Sequence, residues 1–163
     1  MAQVYLSIGS NIDRERYINA ALSALECEFG EVGLSSVYES VAVGFEGDNF
    51  YNLVAAIETE MPVPDLQACI KQIEDQNGRL REGPRFSART LDIDILTYDD
   101  VVGDRQGVVL PREEILENAF VLLPLSELAP EALHPVLQKT YQQLWDEFPN
   151  KKQALWVVDF KRH

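Results

Sequence analysis

Residues 74–96, EDQNGRLREGPRFSARTLDIDIL, contain the pattern that decides the interpretation of this chain. They predict the end of a helix, then a basic loop, then a buried strand that carries two acids. Side chains alternate between the two faces of a strand, so Asp92 and Asp94 share one face and the apolar residues around them occupy the other. The segment therefore predicts a pair of carboxylates on a central strand.

The basic loop gives this pair of acids a chemical context. Four of the chain's 14 Lys and Arg residues fall between Arg79 and Arg89, although the net charge is −13. Carboxylate oxygens bind Mg²⁺ and guanidinium groups bind phosphate oxygens, so the combination suits a metal-bound polyphosphate. The alternative is a structural ion-pair network, because buried acids also need partners. The pattern alone leaves both interpretations open.

Composition bounds the class of protein. A chain of 163 residues with 46% hydrophobic and 25% charged residues predicts one globular domain with a sizeable core. Its acidic balance argues against a nucleic-acid binder or a basic membrane-surface protein. Cys27 and Cys69 lie in helical patterns and are predicted to be buried free thiols. With no signal-peptide pattern or transmembrane run, we expect a cytoplasmic protein without a membrane or nucleic-acid partner.

Hydrophobic periodicity predicts an α+β fold with a ferredoxin-like βαββαβ core and additional C-terminal strands and helices. The predicted core strands are residues 3–8, 32–38, 50–59 and the strand with the two acids, and the core helices are 13–29, with Asp13 as N-cap, and 65–77. The predicted C-terminal elements are a hairpin within 98–110, a short helix within 111–118, a buried segment at 120–125 followed by a helical turn, a helix at 136–148 and an edge strand near 155–158.

Common nucleotide-binding and catalytic motifs are missing. The sequence has neither a P-loop nor a Rossmann glycine pattern. His134 and His163 are predicted to be surface residues and not catalytic groups. Asn52 is the odd polar residue of an apolar strand, and it is either a structural residue or a ligand-binding one. Of the chemistries considered, metal-assisted phosphoryl transfer at the two acids is the one that the sequence leaves open.

At this point the chain resembles the 6-hydroxymethyl-7,8-dihydropterin pyrophosphokinase family over residues 4–128. The motifs that carry the resemblance are Gly9-Ser10-Asn11, Asn49-Phe50-Tyr51-Asn52-Leu53, Gly78-Arg79-Leu80-Arg81, Arg89-Thr90-Leu91-Asp92-Ile93-Asp94, Leu110-Pro111 and Phe120-Val121-Leu122. The resemblance implies an enzyme of folate biosynthesis in which ATP donates a diphosphate to the hydroxymethyl group of the reduced pterin and AMP is released.

The resemblance also implies roles for matching residues. Asp92 and Asp94 would hold two Mg²⁺ ions, and Arg79 and Arg89 would join them as catalytic residues. The implied ATP-binding residues are Glu74, Arg81, Arg89, Ile95 and Arg112. The implied pterin-binding residues are Ser40, Val43, Phe50, Asn52, Phe86 and Phe120. Without the family, Phe50 and Phe120 would be assigned to the core.

Several positions depart from the family pattern. The aromatic of the basic loop, usually Trp, is Phe86, the usual His after Leu-Pro is Arg112, and the Arg six residues later is Asn118. These changes keep two other hypotheses open: a catalytically silent pterin- or nucleotide-binding relative, and a related Mg²⁺-dependent phosphotransferase. The expectation is a monomer that acts on small-molecule substrates.

Overall fold

The computed structural model describes residues 1–41, 49–78, 90–149 and 154–162. The strands are β1 Ala2–Ser10, β2 Gly33–Leu34, β3 Tyr38–Ser40, β4 Phe50–Thr59, β5 Asp92–Tyr98, β6 Gly103–Arg105, β7 Val108–Leu110 and β8 Leu155–Val157. The helices are α1 Arg14–Phe29, α2 Val63–Gln76, α3 Glu114–Glu117, α4 Ala119–Leu128 and α5 Tyr141–Glu147.

One antiparallel sheet organises these elements. Its strand order is β5-β1-β4-β3-β8, with β2 also paired to β4, while β6 and β7 form a separate hairpin. Along the chain, β1, α1, the short strands β2 and β3, then β4, α2 and β5 follow the predicted βαββαβ order. The predicted α+β class and ferredoxin-like core are confirmed, and so are the hairpin and the C-terminal edge strand.

The sheet has an apolar cluster on each face. Ile8, Leu53 and Ile93 are paired across β1, β4 and β5 and belong to the cluster that includes residues of α1 and α2. Val54 and Leu96 belong to the second cluster, with residues of α4 and α5. Because side chains alternate along a strand, the acids of β5 emerge on the face that α4 and α5 cover.

The predicted strand at residues 32–38 is two short strands. Ser35 lies between them and pairs locally with β4: its N–H donates to the Val54 carbonyl at 3.0 Å, and its Oγ accepts the Val54 N–H at 3.0 Å. The hydroxyls of Ser36 and Tyr38 then donate to the Glu127 carboxylate of α4, at 2.6 and 2.8 Å. Side-chain hydrogen bonds thus interrupt the ladder where apolar periodicity predicted one strand.

The predicted helix at residues 136–148 is wrong in its first half. The Nδ1 of His134 accepts the N–H groups of Val136 and Leu137, at 3.2 and 3.1 Å, and this holds a turn. Helix α5 begins only at Tyr141, after a capping box. His134 is also wrongly predicted to be a surface residue, since it is 3% exposed.

Three further predictions need correction. Residues 119–128 form one helix, whose sequence AFVLLPLSEL is apolar on most sides and therefore hides the helical period. Asp13 precedes α1 with φ 48° but makes no side-chain cap. Cys27 is exposed and Cys69 half-buried, although both are free thiols as predicted.

Within the described ranges, every helix is too short or too polar to span a membrane.

Candidate active site

One row of residues crosses four strands at the end of the sheet where the motifs converge. Asp92 of β5 pairs with Gly9 of β1, Gly9 pairs with Asn52 of β4, and Asn52 pairs with Tyr38 of β3. Directly paired residues present their side chains on the same face of an antiparallel sheet. The row therefore places an acid, a glycine and an amide side by side.

The glycine lets the amide lie close to β1. A Cβ on Gly9 would be 3.0 Å from Asn52 Oδ1 and 3.8 Å from Phe50 Cδ1. The amide nitrogen of Asn52 donates to the Ser40 hydroxyl at 2.7 Å, and this bond is buried. The structure thus brings together three residues predicted to bind the pterin: Ser40, Phe50 and Asn52.

The two acids lie one strand beyond Gly9. Asp92 and Asp94 are both partly exposed, while Ile93 between them is buried. The backbone N–H of Ile93 donates to the carboxylate of Glu74 at 2.8 Å, and Glu74 is 4% exposed. This buried acid of α2 fixes the β5 backbone between the two aspartates.

Arg112 lies against the edge strand β5. Its N–H donates to the Leu96 carbonyl at 2.9 Å and its Nε to the Ile95 carbonyl at 3.1 Å. One terminal guanidinium nitrogen lies 3.7 Å from Asp94 Oδ1, and the other 4.0 Å from Glu114. The Ile95 side chain is buried in the apolar core, so any contact of Ile95 with a ligand would involve its backbone.

Phe120 is the second residue of α4. Its ring is half-buried against the cluster of α4 and α5, on the side of the sheet where the acids emerge. Asn118 precedes the helix and its carbonyl accepts the N–H groups of Val121 and Leu122, both at 3.0 Å. Asn118 therefore helps to set the position from which the Phe120 side chain projects.

Five predicted site residues lie outside the described residues: Val43, Arg79, Arg81, Phe86 and Arg89. Their roles remain predictions from the sequence.

The donor set of β5 fits a hard cation. Asp92 and Asp94 offer carboxylate oxygens from one face of one strand, and both are partly exposed. Mg²⁺ commonly takes one or two protein carboxylates and completes its shell with water and substrate phosphates. Over the described ranges, no group of three or more acid, His or Cys residues forms a larger metal cage. The pair therefore suits a metal that arrives with a phosphate ligand.

Sequence reasoning missed how Gly9 and Glu74 act. From the sequence, Gly9 was identified only as part of a family motif, whereas the structure places it inside β1, where it allows Asn52 to approach. A glycine within an apolar strand pattern is a known mark of close approach, so this signal was available. The backbone contact of Glu74 leaves no comparable trace, because its partner is 19 residues away along the chain.

Comparison with known proteins identifies the family of the chain. The family model described as 7,8-dihydro-6-hydroxymethylpterin-pyrophosphokinase (HPPK) matches residues 5–130. A curated 2-amino-4-hydroxy-6-hydroxymethyldihydropteridine pyrophosphokinase of Aquifex aeolicus is 39% identical over 150 residues, covering 90% of this chain and 92% of its own. The protein of the same description from Bacillus subtilis is 34% identical over 131 residues and is covered over 78% of both chains.

Solved structures agree on the fold. The crystal structure of a Plasmodium falciparum HPPK-DHPS triple mutant with pteroate superposes with a TM-score of 0.71 at 16% identity. The match covers 90% of this chain and 43% of that longer one, and at this identity it supports the fold alone. With the family model spanning most of the sequence, the chain belongs to the 7,8-dihydro-6-hydroxymethylpterin-pyrophosphokinase family.

Proposed function

We propose that the row from Asp92 to Asn52 is the reaction centre of a pyrophosphokinase and that its residues divide between the two substrates. As a member of this family, the protein is a transferase of folate biosynthesis. It moves a diphosphate group from ATP to the hydroxymethyl group of 6-hydroxymethyl-7,8-dihydropterin. The pterin oxygen bonds to the β-phosphorus, the bond from that phosphorus to the bridging oxygen of the α-phosphate breaks, AMP leaves with that oxygen, and the hydroxyl proton is lost.

The pterin site is built on β3, β4 and α4. A flat heterocycle is held best by aromatic faces and a few fixed polar groups. Phe50 and Phe120 supply the aromatic faces, and Asn52, held by Ser40, binds the polar edge of the ring. The buried hydrogen bond between Asn52 and Ser40 supports this assignment, because it fixes the orientation of the amide before the ligand arrives. Val43 and Phe86 complete the set by family position.

The phosphate site is built on β5. Asp92 and Asp94 would hold Mg²⁺, two ions in this proposal, and the bound metal would supply charge neutralisation for the triphosphate. Glu74 keeps the strand between the two acids in place. Arg112 presents a guanidinium beside Asp94, where it can meet a phosphate oxygen. Arg79, Arg81 and Arg89 bind phosphates by family position, and the backbone of Ile95 lines the nucleotide.

A single observation carries the proposal. Asp92 and Asn52 are each paired with Gly9, so they lie two strand spacings apart, about 10 Å, on one face of the sheet. A pterin bound at Asn52 would then extend its hydroxymethyl group toward a triphosphate bound at the acids. A purely structural ion-pair network would not require an amide and a phenylalanine beside the same glycine.

The first test is formation of AMP from ATP and Mg²⁺, with and without 6-hydroxymethyl-7,8-dihydropterin, in the wild type and in Asp94→Ala. Pterin-dependent AMP that is lost in the variant supports the proposal. A folded protein that binds the pterin and forms no AMP would instead be a silent relative. Pterin-independent turnover of ATP would indicate a different phosphotransferase.

The proposal also covers the oligomeric state and the location of the protein. The expected location is the cytoplasm. The enzyme acts as a monomer on two small molecules, and the site residues that the structure describes all come from one chain, which supports this part of the proposal. A sedimentation measurement at micromolar concentration with and without substrates would contradict this if it gave a dimer.

A further inference from the structure

We infer that Arg14 is a positioning residue for the pterin site, which it controls from the opposite face of the sheet. This inference rests on the proposed assignment of Ser40, Phe50 and Asn52 to the pterin. Arg14 is the first residue of α1, and within the described ranges its guanidinium contacts Asn49 and Glu39, which are not proposed ligand-binding residues. Its effect would be transmitted through the backbone of β3 and β4.

The guanidinium of Arg14 joins the facing ends of two strands. It donates to the Asn49 carbonyl at 3.0 Å and lies 3.4 Å from a carboxylate oxygen of Glu39. The same oxygen of Glu39 accepts a hydrogen bond from the side-chain amide nitrogen of Asn49 at 3.0 Å. Asn49 immediately precedes Phe50, and Glu39 immediately precedes Ser40. One cation thus holds the residues adjacent to two proposed pterin contacts.

Tyr51 completes the arrangement. The guanidinium carbon of Arg14 lies 3.9 Å from the centre of the Tyr51 ring, and the Phe160 ring packs edge-on against Tyr51 with centroids 6.3 Å apart. Because side chains alternate, Tyr51 points away from the face that carries Phe50 and Asn52. The contacts of Tyr51 with Arg14 and Phe160 therefore hold β4 at the residue between the two proposed ligand-binding side chains.

The contacts need a guanidinium in particular. Arg14 stacks its plane on a ring while its edge donates to a carbonyl and faces a carboxylate, and a planar group with several donors can do all three. Lysine offers a point charge that can keep the ion pair but not the full set. The side chains of Arg14 and Glu39 are 28% and 19% exposed, so the arrangement is partly shielded from solvent.

The inference predicts an effect on one substrate. Loosening this clamp, defined as Arg14, Glu39, Asn49 and Tyr51, should shift Phe50 and Ser40 and leave the acids of β5 in place, because β1 separates β5 from β4. Arg14→Gln should therefore raise the KM and Kd for the pterin about tenfold, as expected for a ligand contact displaced by a fraction of an ångström. The KM for ATP should stay within about twofold, and Arg14→Lys should recover part of the pterin affinity.

The experiment measures pterin binding by calorimetry, both KM values and amide exchange of residues 49–52 in the wild type, Arg14→Gln, Arg14→Lys and the control Arg16→Gln. Arg16 lies on the same helix, is 71% exposed and pairs with Asp13 at 3.6 Å, so its loss should change none of these values. If Arg14→Gln does not fold, Tyr51→Leu and Tyr51→Phe test the same stacking, and only the leucine variant should weaken pterin binding.

The outcomes separate the clamp from the proposed function. Faster exchange at residues 49–52 together with a selective loss of pterin affinity supports the inference. Unchanged exchange and pterin affinity, or equal losses for ATP and pterin, would overturn it. If the wild type binds no pterin, the proposed function fails, and the exchange data alone still decide whether Arg14 orders this strand end.

Discussion

Gly9 and Asn52 are paired across β1 and β4, and the amide oxygen of Asn52 would lie 3.0 Å from any Cβ placed on Gly9. The pair explains why a polar side chain can stay buried in an apolar strand. Its amide lies over the bare backbone of β1 and donates to Ser40 at 2.7 Å. The absence of one methyl group thus permits the orientation of a proposed pterin-binding residue.

Gly9→Ala should therefore weaken pterin binding while the protein stays folded. The new methyl group would displace the Asn52 amide, and we expect the pterin Kd to rise about tenfold, equivalent to about 1.4 kcal/mol. Gly33→Ala is the matched control, since its Cβ would meet Ala56 at 3.4 Å, an ordinary van der Waals contact. Calorimetric titration with the pterin measures both variants. Equal affinity of Gly9→Ala and the wild type would contradict the role of this pair.

Substitution of either acid should abolish turnover but not folding. Asp92→Asn and Asp94→Asn remove a carboxylate ligand from a partly exposed position. We expect the rate of AMP formation to fall about a thousandfold, because metal-borne charge neutralisation is worth several kcal/mol in such reactions. Asp100→Asn, in an exposed turn two residues after β5, serves as the control. Chelation of Mg²⁺ should silence the wild type to the same degree, and activity that survives EDTA would refute the metal assignment.

Substitution of Arg112 should weaken the binding of ATP and leave the binding of the pterin unchanged. Its guanidinium lies 3.7 Å from Asp94, and both side chains are partly exposed, so the ion pair itself contributes at most about 1 kcal/mol to stability. Arg112→Gln should raise the KM for ATP several-fold with an unchanged pterin Kd. Arg105→Gln, in the exposed β6–β7 hairpin, is the matched arginine control. A larger effect on pterin binding than on ATP would show that Arg112 has been assigned to the wrong substrate.

Substitution of Glu74 should lower the free energy of unfolding more than substitution of an exposed residue of the same helix. Its buried carboxylate accepts the Ile93 N–H at 2.8 Å, and a hydrogen bond to a charged group contributes about 1.5–3 kcal/mol. Glu74→Ala should lower the free energy of unfolding by that amount, whereas Glu74→Gln keeps an acceptor and should cost less. Gln76→Ala, exposed on the same helix, provides the reference in urea unfolding. Equal stability of Glu74→Ala and Gln76→Ala would mean that this contact does not hold β5.

His134 should make stability depend on pH. Burial lowers the pKa of His134 below its ordinary value of 6.5, because the folded protein disfavours the charged imidazole. The neutral Nδ1 also accepts two backbone N–H groups, which a protonated ring could not do. Below pH 6.5 the unfolded chain takes up the proton first, so stability is complete above that pH and falls as the pH drops toward the lower folded pKa.

Unfolding in urea at pH 8, 6.5 and 5.5 measures this effect, with His134→Asn as the control. Asparagine can accept from the same N–H groups but does not titrate. Both proteins contain the same carboxylates, so the pH-dependent contribution of these groups cancels in the difference between the two unfolding free energies. It should shrink as the pH falls, and a difference that is constant across the series would exclude His134 as the source.

Local periodicity predicted the secondary structure well where one face of an element is buried. The helix beginning after Asp13 has such a face, and its position was predicted closely. The strand at residues 50–59 is buried on both faces, and its long apolar run predicted its position equally closely. Prediction failed at Ser35 and at His134, where side chains bond to the backbone and redirect the chain. It failed again in α4, whose uniformly apolar sequence carries no period. The partner of Ser35 lies 19 residues away, whereas the partners of His134 are local, and in both cases a side-chain hydrogen bond outweighs the local apolar pattern.

The sequence by itself determined the βαββαβ order and the common face of Asp92 and Asp94, because both follow from the fixed periods of helix and strand. It also identified the family through motifs that together span most of the chain. Only the tertiary structure decided that Gly9 lies between Asp92 and Asn52 and that Glu74 accepts the Ile93 N–H. It also decided that Arg14 donates to the carbonyl of Asn49, the residue before Phe50. These contacts join residues far apart along the chain, and the periodicity of one segment does not specify which distant residue it meets.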